Sequence, residues 1–414
     1  MTTLAVRTLR EWTQSRERRT STPDDSDPLP LSTPTTDVGV PALAALLAGT
    51  HPDDETTTAI AARAVASWAR TAGRGSGHHG LFSGGLAGTL AGLRFGARLH
   101  PALNTVADRL HTHLATPQPR RQDQVTITDY DLIVGPAGTL HALLLASTEA
   151  APLPQIDHLA LLASDPDLRR LRAGQDDRFP ELDWLQGRVN TGMGHGVAGL
   201  LTALTATVRS TAPTPRLTRA IHHVTHWLTA QSFDDARAIR SWDGAGLEDV
   251  PPPGARARQA WCYGAPGICW ALWDAADAVG DKETAEWAES AFTTLCARYD
   301  ETFHLYGDPP TDRLACCHGA AGVLAVADAF HHHAHHPRAA TLRTRLTTYL
   351  TAHLHELPTL AAQDMGLLGG ATGVLCALLT ATTQAPSGAA SEAASEAASG
   401  VTAWRDWTRC LGLR

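Results

Sequence analysis

The sequence predicts an all-α protein whose helices form a closed ring with an inner and an outer layer. From Pro41 onward the chain is rich in Ala and Leu with helical periodicity and has almost no alternating β-branched stretch, which is typical of an all-α body. A Gly-x-x-Gly step followed by an apolar run recurs roughly every 50 to 70 residues, which indicates a structural repeat. The six steps are Gly85/Gly88, Gly135/Gly138, Gly196/Gly199, Gly264/Gly267, Gly319/Gly322 and Gly370/Gly373.

Each repeat is predicted to contain one polar-faced helix and one helix that is apolar nearly all round. More polar, amphipathic segments lie between the steps, for example at 56–70, 217–229, 282–298 and 338–356. A helix that is apolar all round should be buried, whereas an amphipathic helix should lie half exposed. Such pairs can stack as an open solenoid or close as a ring. We expect the ring, because candidate functional residues recur at the helix starts and converge only if those starts face a common centre.

The composition shifts along the chain predict its boundaries. Residues 1–40 combine Arg-Glu-Arg-Arg with a Thr/Pro/Asp-rich run and are expected to form a loosely ordered N-terminal arm, followed by the toroidal body over 41–414. Residues 232–255, with three consecutive prolines, are an irregular insert or lid. The low-complexity run 386–400 is expected to be a flexible surface loop. The last helix, 401–411, is expected to close the outer layer.

Composition and charge exclude several classes of protein. The 414-residue chain has a formal net charge of −8, which argues against a general nucleic-acid binder. It contains no apolar run of the roughly 18 residues that a membrane span requires. The first residues lack the apolar core of a secretion signal, and an odd number of cysteines, seven, suits a reducing compartment. We therefore expect a cytoplasmic protein without a membrane span.

Cys262, Cys317 and His318 form a candidate metal site, since each precedes a Gly-x-x-Gly step by one or two residues. Zinc prefers thiolate and imidazole, and a catalytic zinc keeps three protein ligands and one open position. The alternative is that these are small or packing residues at crowded helix starts. Cys269 lies two helical turns, roughly 10 Å, beyond Cys262 and is too far to be a fourth ligand. Cys316 falls one position out of register.

Other helix starts supply candidate acid, base and charge-stabilising groups, namely His195, Asp131, Arg258 and Tyr263. A histidine near a metal suits proton transfer near neutral pH. Inward-pointing helix N-termini favour negative charge. The structural alternatives are a hydrogen-bonded packing histidine for His195, a helix N-cap for Asp131 and a surface cation for Arg258.

Three motifs together resemble the lanthionine synthetase C-like family, over roughly residues 40 to 411. They are Gly-Met-Gly-His-Gly at 192–196, Arg-x-x-x-Cys-Tyr-Gly at 258–264 and Cys-His-Gly at 317–319. The resemblance implies an α/α toroid with one central zinc held by Cys262, Cys317 and His318. It also implies acid/base and positioning roles for His195, Asp131, Arg258 and Tyr263.

The resemblance further implies a stand-alone bacterial cyclase, since no dehydratase- or kinase-like region precedes the body. Such an enzyme adds cysteine thiols across dehydroalanine or dehydrobutyrine in a dehydrated precursor peptide with a leader, which gives (methyl)lanthionine thioether rings. His195 would deliver the α-proton, oriented by Asp131, with Arg258 or Tyr263 stabilising the enolate. The sequence does not decide which residue is the terminal acid. A dehydratase is a candidate partner.

Three alternatives remain from the sequence. A related activity joins glutathione to dehydrated residues in proteins, although the Ala/Arg/Thr-rich composition looks bacterial and favours the peptide cyclase. A protein prenyltransferase-like toroid also activates a thiol on zinc, but its ligands are Asp, Cys and His, so a second Cys ligand argues against it. A non-enzymatic, zinc-stabilised scaffold of a biosynthetic complex would usually require four protein ligands.

Overall fold

The fold was analysed in a computed structural model, which describes residues 1–21, 37–74, 77–145, 153–176, 178, 180–246, 258–305, 308–383 and 403–414. The α-helices, in chain order, are α1 (Thr2–Ser21), α2 (Gly39–Thr50), α3 (Glu55–Ala69), α4 (Leu86–Gly96), α5 (Leu103–Leu114), α6 (Ile127–Tyr130), α7 (Pro136–Leu144), α8 (Pro154–Leu162), α9 (Val197–Ser210), α10 (Pro215–Ala230), α11 (Ala265–Val279), α12 (Lys282–Arg298), α13 (Glu301–His304), α14 (Pro310–Leu314), α15 (Ala320–His333), α16 (Pro337–Ala352), α17 (Leu357–Gln363) and α18 (Ala371–Thr382). Short 3-10 helices cover Arg169–Leu171, Pro180–Leu185, Leu354–Glu356 and Ala403–Leu411. Strands β1 (Phe233–Asp234) and β2 (Arg240–Ser241) pair antiparallel, with Phe233 opposite Ser241.

The helices form an α/α toroid, as the sequence predicts. Within the described ranges, the inner ring consists of α2, α4, α7, α9, α11, α15 and α18. Each of these helices contacts the next, and α18 returns to α2. The outer helices α3, α5, α8, α10, α12 and α16 each pack on the inner helix that precedes them in the chain. The inner helices are buried almost end to end, as expected of helices without a polar face. None of the described helices combines the length and apolar character that crossing a membrane requires.

The second glycine of each step is needed for a steric reason. A Cβ built on Gly88, Gly138, Gly199, Gly267, Gly322 or Gly373 would lie only 1.9 to 2.2 Å from a backbone carbonyl oxygen of the loop that enters the same helix. Any larger residue would push the loop away from its helix. The first glycine of each step stands directly before the inner helix as its N-cap. Helix α2 begins instead at a single glycine, Gly39, so the six repeated steps do not mark this seventh inner helix.

Backbone hydrogen bonds link the loops before consecutive inner helices. The bonds run from Phe82 N to Ile133 O (2.9 Å), Leu132 N to Gly194 O (3.2 Å), Met193 N to Cys262 O (2.8 Å), Cys262 N to Cys317 O (3.3 Å) and Cys317 N to Leu368 O (2.9 Å). The helix starts of the inner ring therefore meet around one centre. This is the arrangement that the recurring candidate residues predicted.

The N-terminal region differs from the expected loosely ordered arm. Residues 2–21 form α1, which packs on α2 and α3 and completes the outer layer beside α18. Ala5, Leu9 and Thr13 lie four residues apart and are buried, so the helix has an apolar stripe despite its many charged residues. The Thr/Pro/Asp-rich remainder, residues 22–36, lies outside the described residues. The boundary between an arm and the body at residue 40 remains untested.

The C-terminal segment also differs from expectation. Ala403–Leu411 is a 3-10 helix that contacts the inner helices α2, α7 and α18, and it does not join the outer layer. The indole N–H groups of Trp261 and Trp270 donate to the carbonyls of Leu411 and Gly412, at 2.9 and 3.0 Å. These buried bonds hold the end of the chain inside the ring.

The two segments expected to be irregular are described only in part. Residues 232–246 contain the β1–β2 hairpin and its flanking turns, whereas 247–257 lie outside the described residues. The predicted flexible loop at 386–400 also lies outside them. Its flexibility remains a prediction.

Candidate metal centre and active site

Cys262, Cys317 and His318 lie together at the centre of the ring. One ligand atom from each residue lies within 4.8 Å of the other two. Donor atoms of a tetrahedral zinc site are separated by roughly 3.3 to 3.8 Å, because Zn–S and Zn–N distances are about 2.3 and 2.0 Å. The spacing and the donor types therefore fit a zinc ion. No other group of three metal-ligating side chains was found in the part of the chain that the structure describes.

The cluster has a buried side and an accessible side. Cys262 is 4% exposed, whereas Cys317 and His318 are partly exposed. A hydrogen bond with Cys262, together with burial, raises the pKa of Cys317, and a hydrogen bond with Cys317 raises the pKa of His318. A raised pKa favours the protonated thiol of Cys317. A divalent cation would reverse this preference, because it binds the thiolate. Cys262, Cys317 and His318 would thus hold a metal ion as three protein ligands in a cluster that is accessible on one side.

Asp312 contacts the imidazole of the cluster. Its Oδ1 lies 3.3 Å from His318 Nδ1. Carboxylates in this position commonly orient a metal-ligating histidine and select its tautomer. The sequence analysis did not identify Asp312, which belongs to the short helix α14 just before the Cys-His-Gly motif.

His195 and Asp131 form a close pair. His195 Nδ1 lies 2.5 Å from Asp131 Oδ2, and Asp131 is fully buried. Its other oxygen, Oδ1, accepts the backbone N–H groups of Val134 (2.8 Å) and Gly135 (2.7 Å) at the start of α7. Asp131 therefore both orders the loop that enters α7 and holds the histidine ring. Tyr130 donates its hydroxyl to the His195 carbonyl at 2.7 Å and fixes the loop.

Tyr263 directly follows Cys262 in the loop before α11. Burial raises the pKa of Tyr263 to about 12, and this effect outweighs the hydrogen bond from Asn190, which lowers it. The phenol is therefore neutral near pH 7 and can donate a hydrogen bond. Its oxygen accepts a hydrogen bond from Asn190 Nδ2 at 2.9 Å.

Arg258 lies at the edge of the site. Its side chain is 44% exposed, with Nη2 4.0 Å from Asp308 Oδ1. Its charge still acts on His318, whose pKa it lowers. Among the described residues, its ion-pair partner is Asp308 at this long distance, so the guanidinium is not held by a short ion pair within that part of the chain.

The neighbouring cysteines lie elsewhere. Cys316 is fully buried, with its sulfur against Gly373 of α18. Cys269 is fully buried on α11, where burial and nearby Cys296 raise its pKa well above the usual value. Both pack as apolar side chains, in agreement with their exclusion as ligands.

Fold and site define a helical toroid with a soft-donor cluster where its inner helices begin. A family model described as lanthionine synthetase C-like protein matches residues 32–388, and the chain belongs to this family. The solved structure of a nisin cyclase matches with a TM-score of 0.70 and 18% sequence identity, over 98% of this chain and 97% of that one. At this identity the likeness establishes the shared fold. A search of curated proteins gave no match.

Proposed function

We propose that this protein is a zinc-dependent peptide cyclase that forms (methyl)lanthionine thioether rings. The observation that carries the proposal is the cluster of Cys262, Cys317 and His318, which lies in the same ring of helix starts as the His195–Asp131 pair. Membership of the lanthionine synthetase C-like family supports it. The likeness to a nisin cyclase is consistent with a peptide substrate.

Cys262, Cys317 and His318 would hold the zinc ion. The chemistry that zinc supplies when bound is a lowered pKa of a ligating thiol, here the cysteine of the substrate peptide. Cys262 forms the buried floor of the site. The partial exposure of Cys317 and His318 leaves room for the peptide to approach.

The other residues would handle the proton and the charge. The peptide sulfur bonds to the β-carbon of dehydroalanine or dehydrobutyrine, and the electrons of the carbon–carbon double bond move onto the carbonyl oxygen. Tyr263 and Arg258 stabilise this negative charge by hydrogen bonding and by charge. His195, held by Asp131, delivers a proton to the α-carbon, so the net reaction moves the thiol proton to carbon.

The alternatives predict different products from the same site. A glutathione transferase acting on dehydrated residues would use the same thiol activation and acid group, but would take its thiol from glutathione. A zinc-stabilised scaffold would bind metal without forming a product. The accessible side of the cluster favours an enzyme over a closed structural site. A leader-bearing precursor, a dehydratase partner and a cytoplasmic location are parts of the proposal.

The test uses purified protein in two states, stripped with a chelator and reconstituted with zinc. The substrate is a dehydrated peptide that contains a cysteine, supplied with and without a leader. Ring formation leaves the mass unchanged, so it is followed as zinc-dependent loss of the alkylatable thiol. We expect that loss, and no adduct when glutathione is added with a cysteine-free peptide. Zinc binding without any product would favour the scaffold, and glutathione adducts alone would favour the transferase.

A further inference from the structure

Asn190 is a buried polar residue at the site with no role assigned so far. It begins the glycine-rich loop that leads to His195 and is 1% exposed. Its side chain makes two hydrogen bonds: Oδ1 accepts the N–H of Gly192 at 2.8 Å, and Nδ2 donates to the Tyr263 hydroxyl at 2.9 Å.

The first bond fixes the orientation of the amide. A backbone N–H can only donate, so the atom facing Gly192 must be the amide oxygen. The NH₂ group must then face Tyr263. The position is also confined, because a Cβ built on Gly196 would lie 2.5 Å from Asn190 Oδ1. The Asn190 carbonyl in turn accepts the N–H of Val197 at 2.9 Å. That bond fixes the backbone of Asn190, and a flipped side-chain amide would lose the bond from the Gly192 N–H.

The fixed amide determines the polarity of the Tyr263 hydroxyl. The phenol oxygen accepts from Asn190, so its own proton must point to another acceptor. Tyr263 has no acceptor for that proton among the described residues, and its side chain is only partly buried. The proton is therefore available to a molecule that enters the site.

We propose that Asn190 is a positioning residue that fixes the Tyr263 hydroxyl as a hydrogen-bond donor to the substrate carbonyl oxygen. The inference rests on the proposed function, in which that oxygen takes up negative charge as the sulfur adds to the β-carbon. A donor already aimed at the oxygen needs no reorientation when the charge develops. Asn190 itself does not touch the reacting atoms.

The competing interpretation is that Asn190 only shapes the loop through Gly192. Asn190→Asp separates the two roles. Aspartate has nearly the same shape and still accepts the Gly192 N–H, but it replaces the donor facing Tyr263 with an acceptor. The Tyr263 hydroxyl would then donate to the carboxylate and turn its proton away from the substrate.

The experiment is a double-mutant cycle of Asn190→Asp and Tyr263→Phe in the zinc-loaded protein, with a dehydrated cysteine-containing peptide as the probe. We expect Asn190→Asp to lower kcat about 10- to 100-fold with little change in KM, in the range of a lost charge-stabilising donor. In the Tyr263→Phe background the same change should have almost no further effect. Zinc content and circular dichroism should match the wild type.

A second readout does not depend on turnover. In protein with ¹³C-labelled tyrosine, the Tyr263 resonance, assigned by its loss in Tyr263→Phe, should shift when an unreactive alanine analogue of the peptide binds. The shift should be absent in Asn190→Asp. If that variant does not fold, Asn190→Ala in the same cycle gives the answer.

Two results would overturn the inference. One is a wild-type kcat in Asn190→Asp, and the other is an equal loss with and without the Tyr263 hydroxyl, which would leave Asn190 a loop residue. A wild-type protein that binds zinc but forms no thioether would instead reject the proposed function.

Discussion

Cys316 and Cys317 are adjacent in sequence but have different surroundings. Cys317 is partly exposed and belongs to the ligand cluster, whereas Cys316 is fully buried against Gly373. We expect Cys317→Ala to lose zinc and thioether formation, because three ligands leave no substitute. Cys316→Ala, the matched control, should keep both and cost only about 1 to 2 kcal/mol of stability for the small cavity. Metal loss in both variants, or in Cys316→Ala alone, would contradict the assignment of Cys317 and not Cys316 to the metal site.

His195→Ala is predicted to separate metal binding from chemistry. The ring contacts Asp131 and does not belong to the ligand cluster, so zinc should remain bound. Ring formation should fall about 10²- to 10⁴-fold, the usual worth of a general acid or base. The matched control is His223→Ala, whose ring bonds to the Ala163 carbonyl on the outer layer and should leave turnover unchanged. Near-normal turnover in zinc-bound His195→Ala would mean that His195 is a packing residue and not the acid of the reaction.

The clustering of Cys262, Cys317 and His318 could be predicted at the residue scale, but the residues that support the cluster could not. Cys262 and Cys317 each precede a glycine by two residues, so a common frame marks them in the sequence. Asn190 and Tyr263 are 73 positions apart, and no local pattern shows that their side chains meet. Asp131 illustrates a different limit. A helix N-cap was its structural alternative, but Oδ1 instead accepts two backbone N–H groups directly before α7, and Oδ2 contacts the histidine ring.

At the scale of elements, the loop before α11 depends on a glycine with positive φ. Gly264 has φ +94°, and a Cβ there would lie 1.7 Å from the Arg258 carbonyl oxygen. Gly280, at the other end of α11, has φ +78° but no atom within 4 Å of its would-be Cβ. The two positions differ in backbone conformation as well as in the clash: Gly264, with ψ −166°, lies in a region that essentially only glycine adopts, whereas Gly280, with ψ 22°, is left-handed helical.

We expect Gly264→Ala to destabilise the protein by about 1 to 3 kcal/mol more than Gly280→Ala, since only the former overpacks its loop and forces alanine into a glycine-only conformation. Gly280→Ala should cost about 1 to 2 kcal/mol, the strain of a left-handed residue. Urea unfolding measures both, and metal analysis should find zinc reduced only in Gly264→Ala, because Cys262 is two residues away. Equal losses of stability would mean that the loop can shift to accept a side chain.

The inner helices could be predicted from the glycine steps, but the ends of the chain could not. In α1, a stripe of three buried positions is masked by abundant charge and lies next to a Thr/Pro/Asp-rich run. The C-terminal segment was expected to be the last helix of the outer layer. Its position depends on two indole N–H groups more than 140 residues earlier in the chain. These groups donate hydrogen bonds to backbone carbonyls at the C-terminal end.

At the scale of the whole molecule, closure of the ring buries titratable side chains, and burial disfavours their charged forms. His141 of α7 is 6% exposed, and its Nε2 lies 3.1 Å from Thr202 Oγ1 of α9. Burial, with the nearby charge of Arg409, lowers the pKa of His141 to about 3. The folded protein therefore keeps this imidazole neutral, whereas the unfolded chain protonates it near pH 6.5.

This difference predicts loss of stability in acid. Below pH 6.5, His141 binds a proton in the unfolded chain but stays neutral in the folded protein. The free energy of unfolding therefore falls as the pH decreases, until about pH 3. Between pH 7.5 and pH 5, His141 should lower the free energy of unfolding by about 2 kcal/mol. His141→Gln, which keeps a polar group beside Thr202, should lose correspondingly less between these pH values in urea unfolding. Parallel pH dependences of the two proteins would mean that His141 does not cause the effect.

The most direct test of the account is zinc content and thioether formation measured in one preparation of Cys262→Ala, beside the wild type. The wild type should contain one zinc per chain and consume the thiol of a dehydrated cysteine-containing peptide. Cys262→Ala should lose both together, because Cys262 is the buried member of the proposed ligand set and lies just before α11. A folded Cys262→Ala protein that keeps its zinc and still closes rings would contradict the assignment of the site.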